Sequence, residues 1–216
     1  LVVSGVIATI LFGMAVARLF GHGPRFAFLS AGSVAICGAS AAMAISAILP
    51  KDDRTEERLV FTVVGVTLLS TVAMIVYPIL ADMLGFDGRF AGVFIGATIH
   101  DVAQVVGAGF SVSDETGEIA TIVKLIRVAM LAPVILVATL VIRRYAIQEE
   151  NAERPPIVPS FVVAFVVLLT LNSFGVFPEA VIGLATETSR WALLTAIAAV
   201  GLKTSLRDVI DVGGAA

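Results

Sequence analysis

Apolar residues in this chain run in long blocks instead of alternating, and short polar or glycine-containing stretches separate the blocks. Runs of about 20 apolar residues match the length a helix needs to cross a bilayer, and the missing period-2 alternation argues against a membrane barrel. Leu1 to Phe20 predicts a first spanning helix, stopped after Arg18 by Gly21-His22-Gly23-Pro24-Arg25. Phe26 to Leu49 predicts a second, with small and hydroxyl residues crowding its centre at Gly32-Ser33 and at Cys37-Gly38-Ala39-Ser40-Ala41-Ala42. Leu59 to Ala81 is the third; Asp52 or Asp53 is its candidate cap, and Tyr77-Pro78 closes it where an interfacial aromatic belt would lie. Phe90 to Phe110 is the fourth, and Ile119 to Ile142, kinked by Pro133, is the fifth. Ser160 to Phe174 and Ser189 to Leu202 complete the pattern. The organisation expected is a membrane bundle over residues 1–142, a polar linker over 143–159 and two further apolar segments over 160–216.

Composition sharpens this into an all-α, polytopic membrane protein. Hydrophobic residues make up 58% and charged residues 14% of the 216 positions, with a mean hydropathy of +1.02. Soluble domains carry about 25% charge. A net charge of −3 without a basic tract gives no footing for nucleic acid. Cys37 is the only cysteine, so no internal disulfide forms. The chain opens directly in an apolar helix with no basic leader and no initiator Met, so a longer natural chain is expected. If every segment spans, Arg18, Arg25, Arg89, Arg143, Arg144, Arg154, Lys203 and Arg207 share one face, against Lys51, Arg54, Arg58 and Arg190 on the other. The richer face is then cytoplasmic, and a re-entrant segment would change the parity.

Candidate chemistry lies inside the apolar blocks. His100 and Asp101, with Gln104 shortly after, sit mid-way along the fourth segment, where each ionisable group costs about 2.5–3.5 kcal/mol on insertion scales. Such groups face protein or a water-filled cavity, and His100 and Asp101 are candidates for coupling a proton, with a buried structural network as the plainer reading. On continuous helical geometry Gln104 would share their face. Lys124 and Arg127 follow on one face of the fifth segment; they either snorkel or attract an oxyanion. Cys37, Gly38, Ala39 and Ser40 either serve close helix packing or mark a broken helix whose amides cradle an anion. Asn172 is a weaker polar candidate, and Lys203 stands near an interface. Zinc, phosphate-loop and nucleophile-elbow motifs are missing from the sequence, so no cofactor, metal or enzymatic role is expected. The enzymatic rival would use His100-Asp101 as a general base, with Ser40 or Cys37 as nucleophile.

The runs Ile36-Cys37-Gly38-Ala39-Ser40-Ala41, Ile99 to Val106, Val123 to Val128, Leu171-Asn172-Ser173 and Gly201 to Leu206 resemble those of the YeiH-like bacterial inner-membrane proteins. These are commonly labelled sulfate exporters and grouped with the cation/proton antiporter and bile-acid-symporter-like folds. The resemblance implies an inverted-repeat secondary transporter with discontinuous helices meeting near the bilayer centre. It also implies a site drawn from Cys37 to Ser40, His100, Asp101, Gln104, Lys124, Arg127, Asn172 and Lys203, and spans beyond both ends of this chain. The partners expected are a small anion such as sulfate or an organosulfonate, a proton or sodium ion, membrane lipids and, as an option, further copies in an oligomer.

Overall fold

A computed structural model describes residues 2–146 and 160–203. Its elements are α1 (Val2–Leu19), α2 (Pro24–Ala35), α3 (Ala39–Ile48), α4 (Thr55–Met83), α5 (Gly88–Thr98), α6 (Val102–Val112), α7 (Asp114–Ala129), α8 (Leu131–Ala146), α9 (Ser160–Ser173) and α10 (Glu179–Lys203). The protein is an all-α membrane protein. Three helical stretches among the described residues are long and apolar enough to span: Val2–Leu19, Thr55–Met83 and Asp114–Arg144, the last formed by α7 and α8 with a break at Met130. That break lies just ahead of Pro133, whose missing N–H and ring obstruct the preceding turn.

The second and fourth segments are not spanning helices. At 1.5 Å per residue, the 12 residues of α2 and the 10 of α3 reach only about 18 and 15 Å, short of a hydrocarbon core about 30 Å thick. The two limbs fold back on each other. Gly32 of α2 packs against Ile45 of α3, and Leu29 clusters with Ile45 and Ile48. Arg25, at the start of α2, donates to Asp52, just beyond α3, at 3.0 Å. The chain therefore leaves the membrane on the face where it went in, and Ile36-Cys37-Gly38 forms the tip of a re-entrant hairpin.

Residues 88–112 repeat the arrangement from the opposite face. The limbs α5 and α6, 11 residues each, meet at the tip Ile99-His100-Asp101. The base is closed by Thr116 Oγ1, at the start of α7, which donates to Gly88 O at 3.0 Å. Between the two hairpins, the 29 residues of α4 carry the chain across, and α7–α8 carries it back. Pro78, expected to end the third segment, lies within α4, which continues to Met83. The N-cap of α4 is Arg54 without a side-chain cap; Asp52 accepts from Arg54 N and Thr55 Oγ1 one residue pair earlier.

Hairpin geometry moves the Lys51 to Arg58 connection to the face of Arg18 and Arg25. Ile142 packs into the same cluster as Ile48 and Leu59, so Arg143 and Arg144 lie there as well. One face then holds Arg18, Arg25, Lys51, Arg54, Arg58, Arg143 and Arg144, and the other holds Arg89, among residues 2–146. That asymmetry is far cleaner than the one expected from seven spans, and it puts the seven-cation face in the cytoplasm.

The second hairpin is joined to α7 almost backbone to backbone. A Cβ at Gly92 would lie 2.9 Å from Thr116 O, one at Gly96 would collide with Ala120 O, and one at Gly109 would lie 2.9 Å from Gly117 Cα. Small residues of this kind allow the close approach that drives helix association in lipid. The last helices pack on the rest through α8 and α4 and expose nearly all their described side chains. The start of α10 at Glu179 precedes the expected Ser189 by ten residues, and residues 147–159 of the expected linker lie outside the described residues.

Two outcomes follow. Gly96→Ala should lower stability by more than about 1 kcal/mol in a detergent melt because backbone must shift, whereas Gly65→Ala, with nothing within 4 Å of its Cβ position, should leave the melt unchanged or slightly raised. At the cytoplasmic hairpin base, burial alone would raise the Asp52 carboxyl, but hydrogen bonds from Arg58, Thr55 and Arg25 outweigh it and hold the pKa below the usual value. A depressed folded pKa stabilises above the unfolded pKa and is lost as pH falls through the folded one. Asp52→Asn should therefore cost at most about 1 kcal/mol near neutrality, for so exposed a pair, and the difference from the parent should start to shrink as pH falls below about 4 and vanish only below the lowered folded pKa.

Candidate functional site

Each hairpin tip leaves backbone carbonyls at the end of its first limb and amides at the start of its second, and neither set can be left unpaired in lipid. The carbonyls are taken by two cations of α7. Lys124 lies ten residues into that helix, about 15 Å from its start and so near mid-membrane. Its Nζ donates to Ile36 O of the first tip at 3.3 Å and to Ile99 O of the second at 2.5 Å. Arg127, one turn on, donates from Nε to Ala35 O at 3.0 Å and from Nη2 to Val34 O at 2.9 Å and Ala35 O at 2.6 Å. Its Nη1 donates to Ala97 O. Lys124 is 0% exposed and Arg127 6%. Neither snorkels; together they tie the two tips to each other and to α7.

The tips also touch directly. Gly38 has φ +69°, a left-handed conformation that glycine adopts freely, and a Cβ there would lie 3.5 Å from His100 Cβ and 3.0 Å from Val66. Gly38 is the N-cap of α3 and offers no capping side chain. The second tip is capped by its own acid: Asp101 Oδ1 accepts from Ala103 N at 2.8 Å and from Gln104 N at 3.3 Å, which sets the start of α6. His100 and Asp101 therefore stand in a break and not on a continuous helix, and the face they were expected to share with Gln104 is replaced by a cap. His100 is half-buried, and its Nδ1 is enclosed without a hydrogen-bond partner.

Ser70 and Thr71 of α4 belong to the site although nothing singled them out in the sequence, where hydroxyls in a span are common. Ser70, 1% exposed, accepts from His100 N at 3.1 Å and from Asp101 N at 3.4 Å and donates to Gln104 Oε1. Gln104 Nε2 donates to Thr71 Oγ1 at 3.1 Å. Gln104 is thus engaged with α4.

Of the remaining candidates, Cys37 is buried at the first tip, while Ser40 is exposed in the first turn of α3 beside half-buried Ala39. Neither Cys37 nor Ser40 hydrogen-bonds to the enclosed Nδ1 of His100. Asn172 is exposed at the end of α9 and joins neither tip; Lys203 ends α10, and its side chain lies outside the described residues. Among the described residues, no group of three or more His, Cys, Asp or Glu is placed to hold a metal ion.

The arrangement has a definite electrostatic balance. Two cations and one carboxylate leave a formal charge of +1, and the macrodipole ends, about half a charge each, cancel within each hairpin. Arg127→Leu orphans carbonyls of both tips, each worth about 1–3 kcal/mol when buried, and should destabilise by at least about 3 kcal/mol. Arg127→Lys should recover little of that, since a single amine lacks the planar fork whose three nitrogens reach Val34 O, Ala35 O and Ala97 O together. Unfolding in mixed micelles measures both; a loss of under about 1 kcal/mol for Arg127→Leu would contradict the geometry.

The family described as conserved hypothetical protein 698 matches residues 1–215. UPF0324 membrane protein TauZ of Paracoccus pantotrophus is 59% identical over 214 residues, covering 99% of this chain and 63% of its own length. A UPF0324 membrane protein of Rhizobium meliloti is 59% identical over 217 residues, 99% of this chain and 62% of the relative, and one of Chlorobaculum tepidum is 49% identical over 213 residues, 99% and 60%. The chain spans about three fifths of the length of the curated relatives it matches. No solved structure matches. The match agrees with the likeness to YeiH-like proteins carried by the tip motifs: this chain belongs to the UPF0324 family of multi-pass bacterial membrane proteins.

Proposed function

We propose that this chain forms part of a secondary transporter that exports a small oxyanion, sulfate or an organosulfonate, by alternating access at the meeting point of the two hairpin tips. The single observation that carries the reading is the use made of the tip carbonyls. In broken-helix transporters such carbonyls coordinate the cation, while half-helix N-termini attract anions. Here Val34, Ala35, Ile36, Ala97 and Ile99 are already bound to the guanidinium and ammonium groups of Arg127 and Lys124. A sodium ion would have to displace the guanidinium or the amine from these carbonyls, whereas an oxyanion meets a site of formal positive charge and the uncapped first turn of α3.

Each residue then has a role. Lys124 and Arg127 hold the breaks open and supply the field; Cys37 to Ser40 present the α3 terminus to the anion; His100 and Asp101 exchange the coupling proton. The hairpin-then-span order, once from each face, fits an inverted repeat of α2–α4 and α5–α8. A sodium or proton/cation antiporter is disfavoured by the occupied carbonyls. A membrane-embedded enzyme is disfavoured because Ser40 is exposed and Cys37 is not bonded to the enclosed His100 nitrogen.

The intact protein in liposomes, given a sulfate gradient across a range of pH, should produce sulfate-dependent proton movement without sodium. Asp101→Asn keeps a good N-cap while removing the charge, and should cut coupled flux by at least about tenfold at unchanged stability. Absence of flux for sulfate, sulfite and small alkanesulfonates alike would end the substrate assignment. Full coupling in both the Asp101→Asn and His100→Gln variants would return that pair to structure.

A further inference from the structure

Every proton in the α4–α6 network has a fixed direction. Thr71 Oγ1 donates to Thr67 O at 2.9 Å, so its oxygen accepts from Gln104 Nε2. With its nitrogen turned to Thr71, Gln104 presents Oε1 to Ser70, which must donate to it. The Ser70 hydroxyl has then spent its only proton, and its lone pairs are left for the amides of His100 and Asp101. The chain therefore reads in one direction from the tip amides to a backbone carbonyl of α4. Reversing any member strands two donors or two acceptors face to face.

From this polarity we infer that Ser70, Thr71 and Gln104 are positioning residues that set the second hairpin tip at the height where it meets the first. The glycine seam fixes α5 and α6 to α7 but does not reach the tip, since Gly96 is three residues short of it and Gly109 seven beyond its last helical start. Lys124 and Arg127 hold the tip by its carbonyls; the hydroxyl network holds it by its amides. Lose the latter and the tip can turn about the former, which separates His100 from Gly38 and uncovers Cys37. The consequence for transport rests on the oxyanion reading above, but the position of the tip does not.

Cys37 reports that position because it is buried next to Gly38, the residue that faces His100 of the second tip, and is the only cysteine of the chain. The test is the rate at which a pyridyl disulfide, reactive in acid as well as near neutrality, modifies Cys37 in the intact protein, followed on the Cys37 peptide by mass spectrometry. Ser70→Ala should speed modification by about fivefold or more, as expected for a local opening, and Ser70→Thr should restore the parent rate. Gln104→Glu makes the sharper demand. A neutral carboxyl can accept from Ser70 and donate to Thr71 as the amide does; a carboxylate cannot donate. Its rate relative to the parent should therefore be near one at about pH 4 and raised about fivefold at about pH 8. The titratable and charged groups around this position are His100 and Asp101 of the tip, Tyr77 of α4, Lys124 and Arg127 of α7 and Cys37 itself. All are present in the parent, so the ratio at each pH isolates residue 104.

A Ser70→Ala rate equal to the parent's, or a Gln104→Glu ratio that does not change with pH, would overturn the inference. If the intact parent moves no labelled sulfate, the transport reading falls and the labelling result still decides the positioning role. If it does, Ser70→Ala should lose flux that Ser70→Thr regains.

Discussion

Backbone carbonyls exposed at mid-membrane depth are the constraint around which this protein is built. A helix that stops inside the hydrocarbon core leaves its last turn unpaired, and no water is at hand to satisfy it. Here two helices stop there, one from each face, and a single helix supplies a lysine and an arginine spaced one turn apart to satisfy both. The burial of two cations without a carboxylate partner, which would otherwise be costly, is offset by the negative ends of α2 and α5. Each defect is the other's remedy, and this explains why Lys124 and Arg127 reach deeper than any other charged side chains of the described helices.

From that pairing the remaining geometry follows. Because the carbonyl ends are neutralised, the amide ends of the tips are what the site presents, and one of them is closed by Asp101 while the other is left open by a glycine. The two hairpins are held differently. The second is joined to α7 through glycines and to α4 through hydroxyls, while the first meets α1 closely where Gly13 faces Ala31, is held at its tip carbonyls by Lys124 and Arg127, and at its cytoplasmic base has Arg25 and Arg58 sharing Asp52.

Much of this was legible in the sequence, and the limits were physical. The apolar blocks located the membrane segments, and the glycine and hydroxyl cluster at residues 37–42 offered two readings, close packing or a break, of which the structure has the break at Ile36-Cys37-Gly38. Block length could not separate one spanning helix from two half-length limbs, because Phe26 to Leu49 and Phe90 to Phe110 hold as many residues as a span. Only a contact between distant ends, Arg25 with Asp52 and Gly88 with Thr116, makes the difference. One local signal was available: Asp101-Val102-Ala103-Gln104 has the acid-then-glutamine spacing of a helix start, and reading it would have placed the second break. Pro178-Glu179 similarly announced α10. Ser70 and Thr71 carried no signal, since their role depends on what lies opposite.

The re-entrant geometry is most directly tested by sided labelling. Single cysteines at positions 22 and 53 flank the first hairpin, and those at 89 and 114 flank the second; each is exposed to membrane-impermeant thiol reagent in right-side-out and inverted vesicles. Two hairpins require that 22 and 53 react only from the cytoplasmic side and that 89 and 114 react only from the other. Reaction of 22 and 53 from opposite sides would mean a helix that crosses the membrane, and the meeting of the two tips would fall with it.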